Sequence, residues 1–184
     1  MSTLNKKTST GTARSRATRD TVIFAMLGTV MFLSKIIMEI LPNIHLLGML
    51  TMVYTLVFGV RALIPIYVYV ALNGIYSGFS LWWLPYTYIW TILFLITILL
   101  PKKMPKWLKL IVYPTVCALH GFAFGALYAP AQALMFGLTY KQMIAWIIAG
   151  IPFDIIHGLG NFATGLLVYP TSELLSKLYK KKYS

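Results

Sequence analysis

The chain has 184 residues, of which 59% are hydrophobic, 15% aromatic and only 11% charged, and its mean hydropathy is +0.76. Soluble domains carry about 25% charged residues, so this composition excludes a soluble enzyme and points to an integral membrane protein. The net charge is +12, but the cations sit in short clusters between apolar runs. That arrangement reads as membrane topology, not as a surface for nucleic acid.

Residues 1–19 are rich in Ser, Thr, Lys and Arg and read as a disordered cytoplasmic arm. No small-residue cleavage site follows the first apolar run, so the N-terminus does not read as a secretory signal. The first span is expected from Val22 to Leu41, where Pro42 and Asn43 close it. Leu46 to Val60 is a second, short run, and Arg61 ends it. A re-entrant hairpin over residues 46–78 would hold Arg61 deep in the membrane, at a cost of about 2.5–3.5 kcal/mol. A short turn at Gly59-Val60-Arg61 avoids that cost. Ala62 to Gly78 is then the third span, and Tyr86 to Leu100 the fourth after an aromatic turn. A basic loop bounded by Pro101 and Pro105 leads to the fifth, Leu110 to about Leu127.

Residues 128–150 are interrupted by Pro130 and Gly137, and Tyr140 to Ala149 reads as a short interfacial segment. The sixth span is expected from Pro152 to about Thr171, with Pro152 at the first helical position and Asp154 in the first turn, where the helix dipole favours an anion. The alternative is one long helix from near Thr139, which carries Asp154 toward mid-membrane. The fold class is thus an all-α integral membrane protein of six transmembrane helices over residues 20–178, with a basic tail at 179–184. With the N-terminus inside, 14 of the 16 Lys and Arg fall on the inner side, and only Lys35 and Lys141 lie toward the outside. Both termini are therefore expected to be cytoplasmic.

No nucleotide-binding loop and no metalloprotease motif occurs, and His45, His120 and His157 are widely spaced without a carboxylate cluster. Binding or transport fits better than catalysis, and the chain is expected to hold no metal and no cofactor. Cys117, within an apolar run, reads as a packing residue.

The polar groups that need explaining gather on the outer side. Lys35, Glu39, Asn43 and His45 close the first span; Trp82, Trp83, Tyr86, Tyr88 and Trp90 mark the 3–4 junction. Asp154, His157 and Asn161, at spacing i, i+3, i+7, share one helix face. Ionisable groups at membrane depth are candidates for function. Plainer readings stand beside this one: an interfacial aromatic belt for Trp82, Trp83 and Tyr86, a neutralising pair for Lys35 and Glu39, and interhelical hydrogen bonds for His157 and Asn161. Ala25 and Thr29, with Gly28 between them, form a small-residue face that lets another helix approach closely.

The basic arm, the six short spans, the segment Leu41 to Gly48 after the first span and the segment Ile151 to Asn161 opening the last resemble the substrate-binding S-component of energy-coupling factor (ECF) transporters, most closely its cobalamin-specific members. The resemblance covers about residues 20–178. It implies a multi-pass subunit of a bacterial plasma membrane that binds a vitamin from outside, cobalamin being favoured, with a folate, a flavin or a related ligand as the alternative. Glu39, Asn43, His45, Trp82, Trp83, Tyr86, Asp154, His157 and Asn161 would line the ligand pocket under the three outer loops. Ala25, Gly28 and Thr29 would dock on a transmembrane coupling subunit that carries two ATP-binding subunits. Family members usually show Ala where Thr29 stands. A non-transport membrane protein, with the polar groups serving helix packing, remains the other reading of the residues.

Overall fold

The computed structural model describes the backbone of residues 2–181 and the side chains of residues 17–180. Most of the basic arm and the last tail residues therefore lie outside the described side chains. Among the described residues the chain is all helical. It comprises α1 (Ser2–Ile37), α2 (Leu47–Phe58), α3 (Leu63–Ser77), α4 (Tyr86–Leu99), α5 (Lys106–Phe122), α6 (Phe124–Phe136), α7 (Tyr140–Gly165) and α8 (Val168–Lys181). Five stretches are long and apolar enough to cross a membrane: Ala17–Ile40, Leu47–Ser77, Leu81–Leu99, Lys106–Phe136 and Tyr140–Gly165. Large apolar side chains such as Leu99, Leu134 and Phe153 face outward, as lipid-facing residues do and as a water-exposed surface of this extent does not.

The stretch Leu47–Ser77 is not straight. Gly59, at φ +59°, ends α2, and a 3-10 turn over Gly59–Ala62 leads into α3. Only glycine takes that backbone without strain. Side-chain contacts give the directions. Tyr54 donates to the Leu27 carbonyl at 3.2 Å, and the Phe58 ring lies 5.2 Å from Phe24. Arg61 pairs with Asp20 at 3.1 Å, Val68 lies against Gly28, and Tyr76 meets Phe32 at 5.5 Å. The α2 helix thus descends along α1, and α3 climbs beside it again. At 1.5 Å per residue, the 12 residues of α2 span about 18 Å, short of the roughly 30 Å hydrocarbon core. Arg61 at the turn is what the charge argument anticipates: it sits at the bundle end, paired.

The last third departs from expectation. The fourth stretch runs from Lys106 to Phe136, past Pro130. The following helix begins at Tyr140, not Pro152, and Pro152 lies inside it. A capping box starts α7: the Thr139 amide donates to Gln142 Oε1 at 2.8 Å, and the Gln142 amide donates to Thr139 Oγ1 at 3.4 Å. Two orphan donors are satisfied there, while Pro152 removes one donor in mid-helix, a loss that membrane helices tolerate. Residues 168–171 belong instead to α8.

Close packing of α7 on α5 organises this half. A Cβ at Gly121 would stand 2.9 Å from the Gly158 Cα and the His157 carbonyl, and one at Gly165 would stand 2.7 Å from the Pro114 Cα. Small residues let the two backbones meet.

Candidate functional site

At the end of the bundle where α1 meets α2, a cup of about 180 Å³ opens. The loop Leu41–His45 forms one wall, with Asn43 at φ +61° turning the chain. Tyr69 of α3, Tyr86 and Trp90 of α4, Phe124 of α6 and His157 of α7 form the others. Trp90 is the floor, at 1% exposure. Its ring centroid lies 5.7 Å from His120, 6.0 Å from both His45 and Phe124, and 6.1 Å from Tyr69. The His157 ring stands 4.8 Å from both His45 and Phe124. At the mouth, Lys35 Nζ donates to Glu39 Oε1 at 3.4 Å.

The polar atoms of this cup are unusual. Tyr69 Oη, Trp90 Nε1, His45 Nδ1, His157 Nε2 and His120 Nδ1 are buried and have no hydrogen-bond partner. His120 is anchored through its other nitrogen, Nε2, to the Ile89 carbonyl at 3.1 Å. A buried polar group without a partner costs about 1–3 kcal/mol; four of these atoms belong to residues that line the hollow, and His120 lies behind them against Trp90. Among the described residues, no group of three His, Cys, Asp or Glu is placed to hold a metal ion.

Of the residues anticipated from sequence, Glu39, Asn43, His45, Tyr86 and His157 line the cup. The others are engaged elsewhere. Trp83 Nε1 donates to the Val70 carbonyl at 2.8 Å, and its ring covers Gly74. The Trp82 carbonyl accepts from Tyr128 Oη at 2.7 Å, and its ring meets Tyr86 edge-on from behind the cup lining. Asn161 Nδ2 donates to the Cys117 carbonyl at 3.2 Å, inside the α5–α7 seam. Trp90, which the sequence places with the outer aromatic group at the 3–4 junction, also lines the cup, on one helix face with Tyr86 at i, i+4, and Tyr69 and Phe124 complete it without having been anticipated. On α1, Ala25 and Thr29 are exposed, whereas Gly28 faces away from them and is buried against Val68 and the Pro65 carbonyl. Gly28 therefore belongs to packing within the chain, not to a docking face.

Asp154 does not sit in a first helical turn. Its carboxylate accepts from the Gly125 amide at 3.0 and 3.2 Å through its two oxygens. That amide is freed because the long helix breaks at Ala123, between α5 and α6. The carboxylate caps the start of α6 from the neighbouring helix and holds Phe124 in the cup wall. Asp154→Ala is expected to lower stability by about 1.5–3 kcal/mol, as for other hydrogen bonds to a charged group. Unfolding in detergent micelles measures it.

Burial holds the His45 imidazole down to a pKa of about 4, with His120 and Lys35 acting in the same direction. The folded chain thus binds fewer protons at this site than the unfolded chain, whose value is 6.5. Stability from His45 is full above pH 6.5 and falls as pH drops from there toward 4. Unfolding midpoints measured from pH 7.5 to 4.5 are expected to decline, and His45→Gln is expected to flatten that decline.

Comparison with known proteins finds no match to a family model, a curated protein or a solved structure.

Proposed function

We propose that the chain is a membrane receptor subunit for a small nutrient, of the kind that serves as substrate-binding component in an energy-coupling factor importer. The observation that carries this reading is the cup with the four unpartnered buried polar atoms of its lining residues His45, Tyr69, Trp90 and His157. Helix packing alone gives no reason for four such residues to gather round one hollow.

The distribution of charge supports the orientation. Arg61, the Pro101–Pro105 loop and α8 share one end of the bundle, since Arg61 pairs with Asp20 and Tyr179 of α8 meets Phe58 at 5.1 Å. In this reading that end is cytoplasmic and the cup faces outward. The chain then crosses a bacterial plasma membrane six times, the α2–α3 hairpin counting as two short spans, with both termini inside. Exposed Ala25 and Thr29 offer a face for the coupling subunit that carries two ATP-binding subunits, and the ATP chemistry belongs to those partners.

The size of the cup bears on the ligand. Pockets for drug-sized molecules run about 300–1,000 Å³, and 180 Å³ is below that range. A hollow of this size suits a ligand smaller than a corrinoid. The aromatic floor and neutral donors favour a compact planar heterocycle, such as the ring system of a folate- or flavin-like vitamin, over cobalamin.

The test is titration of the purified chain in lipid nanodiscs with individual vitamins by calorimetry. Binding of at least one at micromolar concentration is expected, and its absence for all of them overturns the reading. Ala25→Leu is expected to leave that binding unchanged and to prevent co-purification with the coupling subunit, because added bulk blocks close helix approach.

A further inference from the structure

The larger hollow lies at the opposite end of the bundle. A cleft of about 610 Å³ opens between the end of α2, the end of α4, the start of α5 and α8. Its charged groups are Lys102, Lys109 and Glu173. Two ammonium groups against one carboxylate leave it net positive. The chain has four acidic residues, and the ion pairs among the described residues are Lys35–Glu39 and Arg61–Asp20. Asp154 is taken up by the Gly125 amide. Among the described residues, neither Lys102 nor Lys109 therefore has a carboxylate partner. Lys109 instead lies with Nζ 5.3 Å from the Tyr169 ring centroid, a contact that fixes its position without neutralising it.

The rest of the lining is divided. Tyr113, Tyr169 and Ser176 add hydroxyl-bearing side chains to the same lining as the lysines, whereas Leu56, Val57 and Val60 make an apolar wall from the end of α2 and its turn. An anion with several acceptor oxygens suits the first part, and a glycerol or acyl segment suits the second. We infer that this cleft binds a phosphate ester, and that its occupant is the headgroup of an anionic glycerophospholipid with the first carbons of its chains along the α2 wall. Basic hollows between membrane helices are suited to such headgroups. The apolar wall favours a lipid over a soluble phosphate ester, which has no use for it. This site is remote from the cup and does not depend on the uptake reading.

The test uses the full chain. Native mass spectrometry after detergent extraction from membranes containing phosphatidylglycerol is expected to find one such lipid retained per chain. Lys102→Gln with Lys109→Gln is expected to reduce that retention at least about tenfold, whereas Lys141→Gln, on the cup side, is expected to leave it unchanged. Glutamine at these positions keeps the fold, which the unfolding midpoint in phosphatidylcholine nanodiscs checks. A second arm adds glycerol 3-phosphate to those nanodiscs. A raised midpoint that vanishes in the double variant supports the phosphate site with a soluble ester as the source. No effect there, with lysine-dependent lipid retention, supports it with the lipid as the source. If neither probe depends on Lys102 and Lys109, or if Lys141→Gln loses as much lipid, the assignment is overturned.

Discussion

Gly121→Val is expected to destabilise the protein by about 3 kcal/mol or more, at or beyond the upper end of what overpacking usually costs. At this glycine a Cβ meets the Gly158 Cα and the His157 carbonyl, each at 2.9 Å. Both are backbone atoms, so no side-chain rotation relieves the contact. The two helices must move apart, and they carry much of the second half of the bundle. The Asn161–Cys117 hydrogen bond and the approach of Gly165 to Pro114 cross the same seam. Gly150, on the same long helix α7, has nothing within 4 Å of its virtual Cβ. Gly150→Ala is therefore expected to stabilise by about 0.5–1 kcal/mol, through the unfolded chain's lost freedom and better helix propensity. Opposite signs at two helical glycines, read as unfolding midpoints in the same detergent, check that the seam and not glycine as such is responsible. Because His157 lies one residue from Gly158, widening the seam also displaces a wall of the cup, so ligand binding is expected to fall with stability in Gly121→Val and to be kept in Gly150→Ala.

The spans that sequence reading delimited well are those bounded by groups a membrane does not tolerate. Arg61 and Gly59 mark the α2–α3 turn, and Pro101 to Lys109 mark the connection from α4 to α5; the helices end within a few residues of the expected positions. The region 128–150 failed for a related reason. Pro130 and Pro152 look like boundaries, yet each lies within a helix, since neighbouring helices in a membrane protein make good a missing donor. The decisive local signal was the capping box at Thr139 and Gln142, a short polar pattern easily outweighed by a proline. The role of Asp154 was not legible locally, because its partner Gly125 is 29 residues away and is available only where the α5–α6 helix breaks. The cup was half legible. Polar residues near span ends, such as His45 and His157, stand out against an apolar background. Tyr69 and Phe124 do not, in a chain where 15% of residues are aromatic and most such rings pack in the core.

Tyr69→Phe combined with His157→Leu is expected to weaken vitamin binding about 100-fold while leaving the unliganded protein as stable as the wild type, or more so. The two effects have opposite signs because of where the lost atoms stand. Tyr69 Oη and His157 Nε2 are buried without a partner in the empty cup. Removing an unsatisfied polar group and keeping an apolar one of similar shape relieves a desolvation cost of about 1–3 kcal/mol per group. On the proposed uptake reading each atom instead reaches a ligand donor or acceptor in the bound state, and a hydrogen bond in that setting is worth roughly 1.4 kcal/mol, a factor of ten in affinity. The aromatic wall remains, so apolar contact with the ligand is retained and the loss reports the polar contacts alone. Calorimetric titration gives the affinity and unfolding without ligand gives the stability. A structural role for these atoms predicts the reverse pattern: lower stability, with binding lost only as far as the fold is. Asn161→Leu is the matching control, because its Nδ2 is already bonded to the Cys117 carbonyl, even though its Oδ1 is buried without a partner. That variant is expected to lose stability, since it breaks an existing bond and leaves a buried carbonyl unpaired, without the separation of binding from folding that marks the cup.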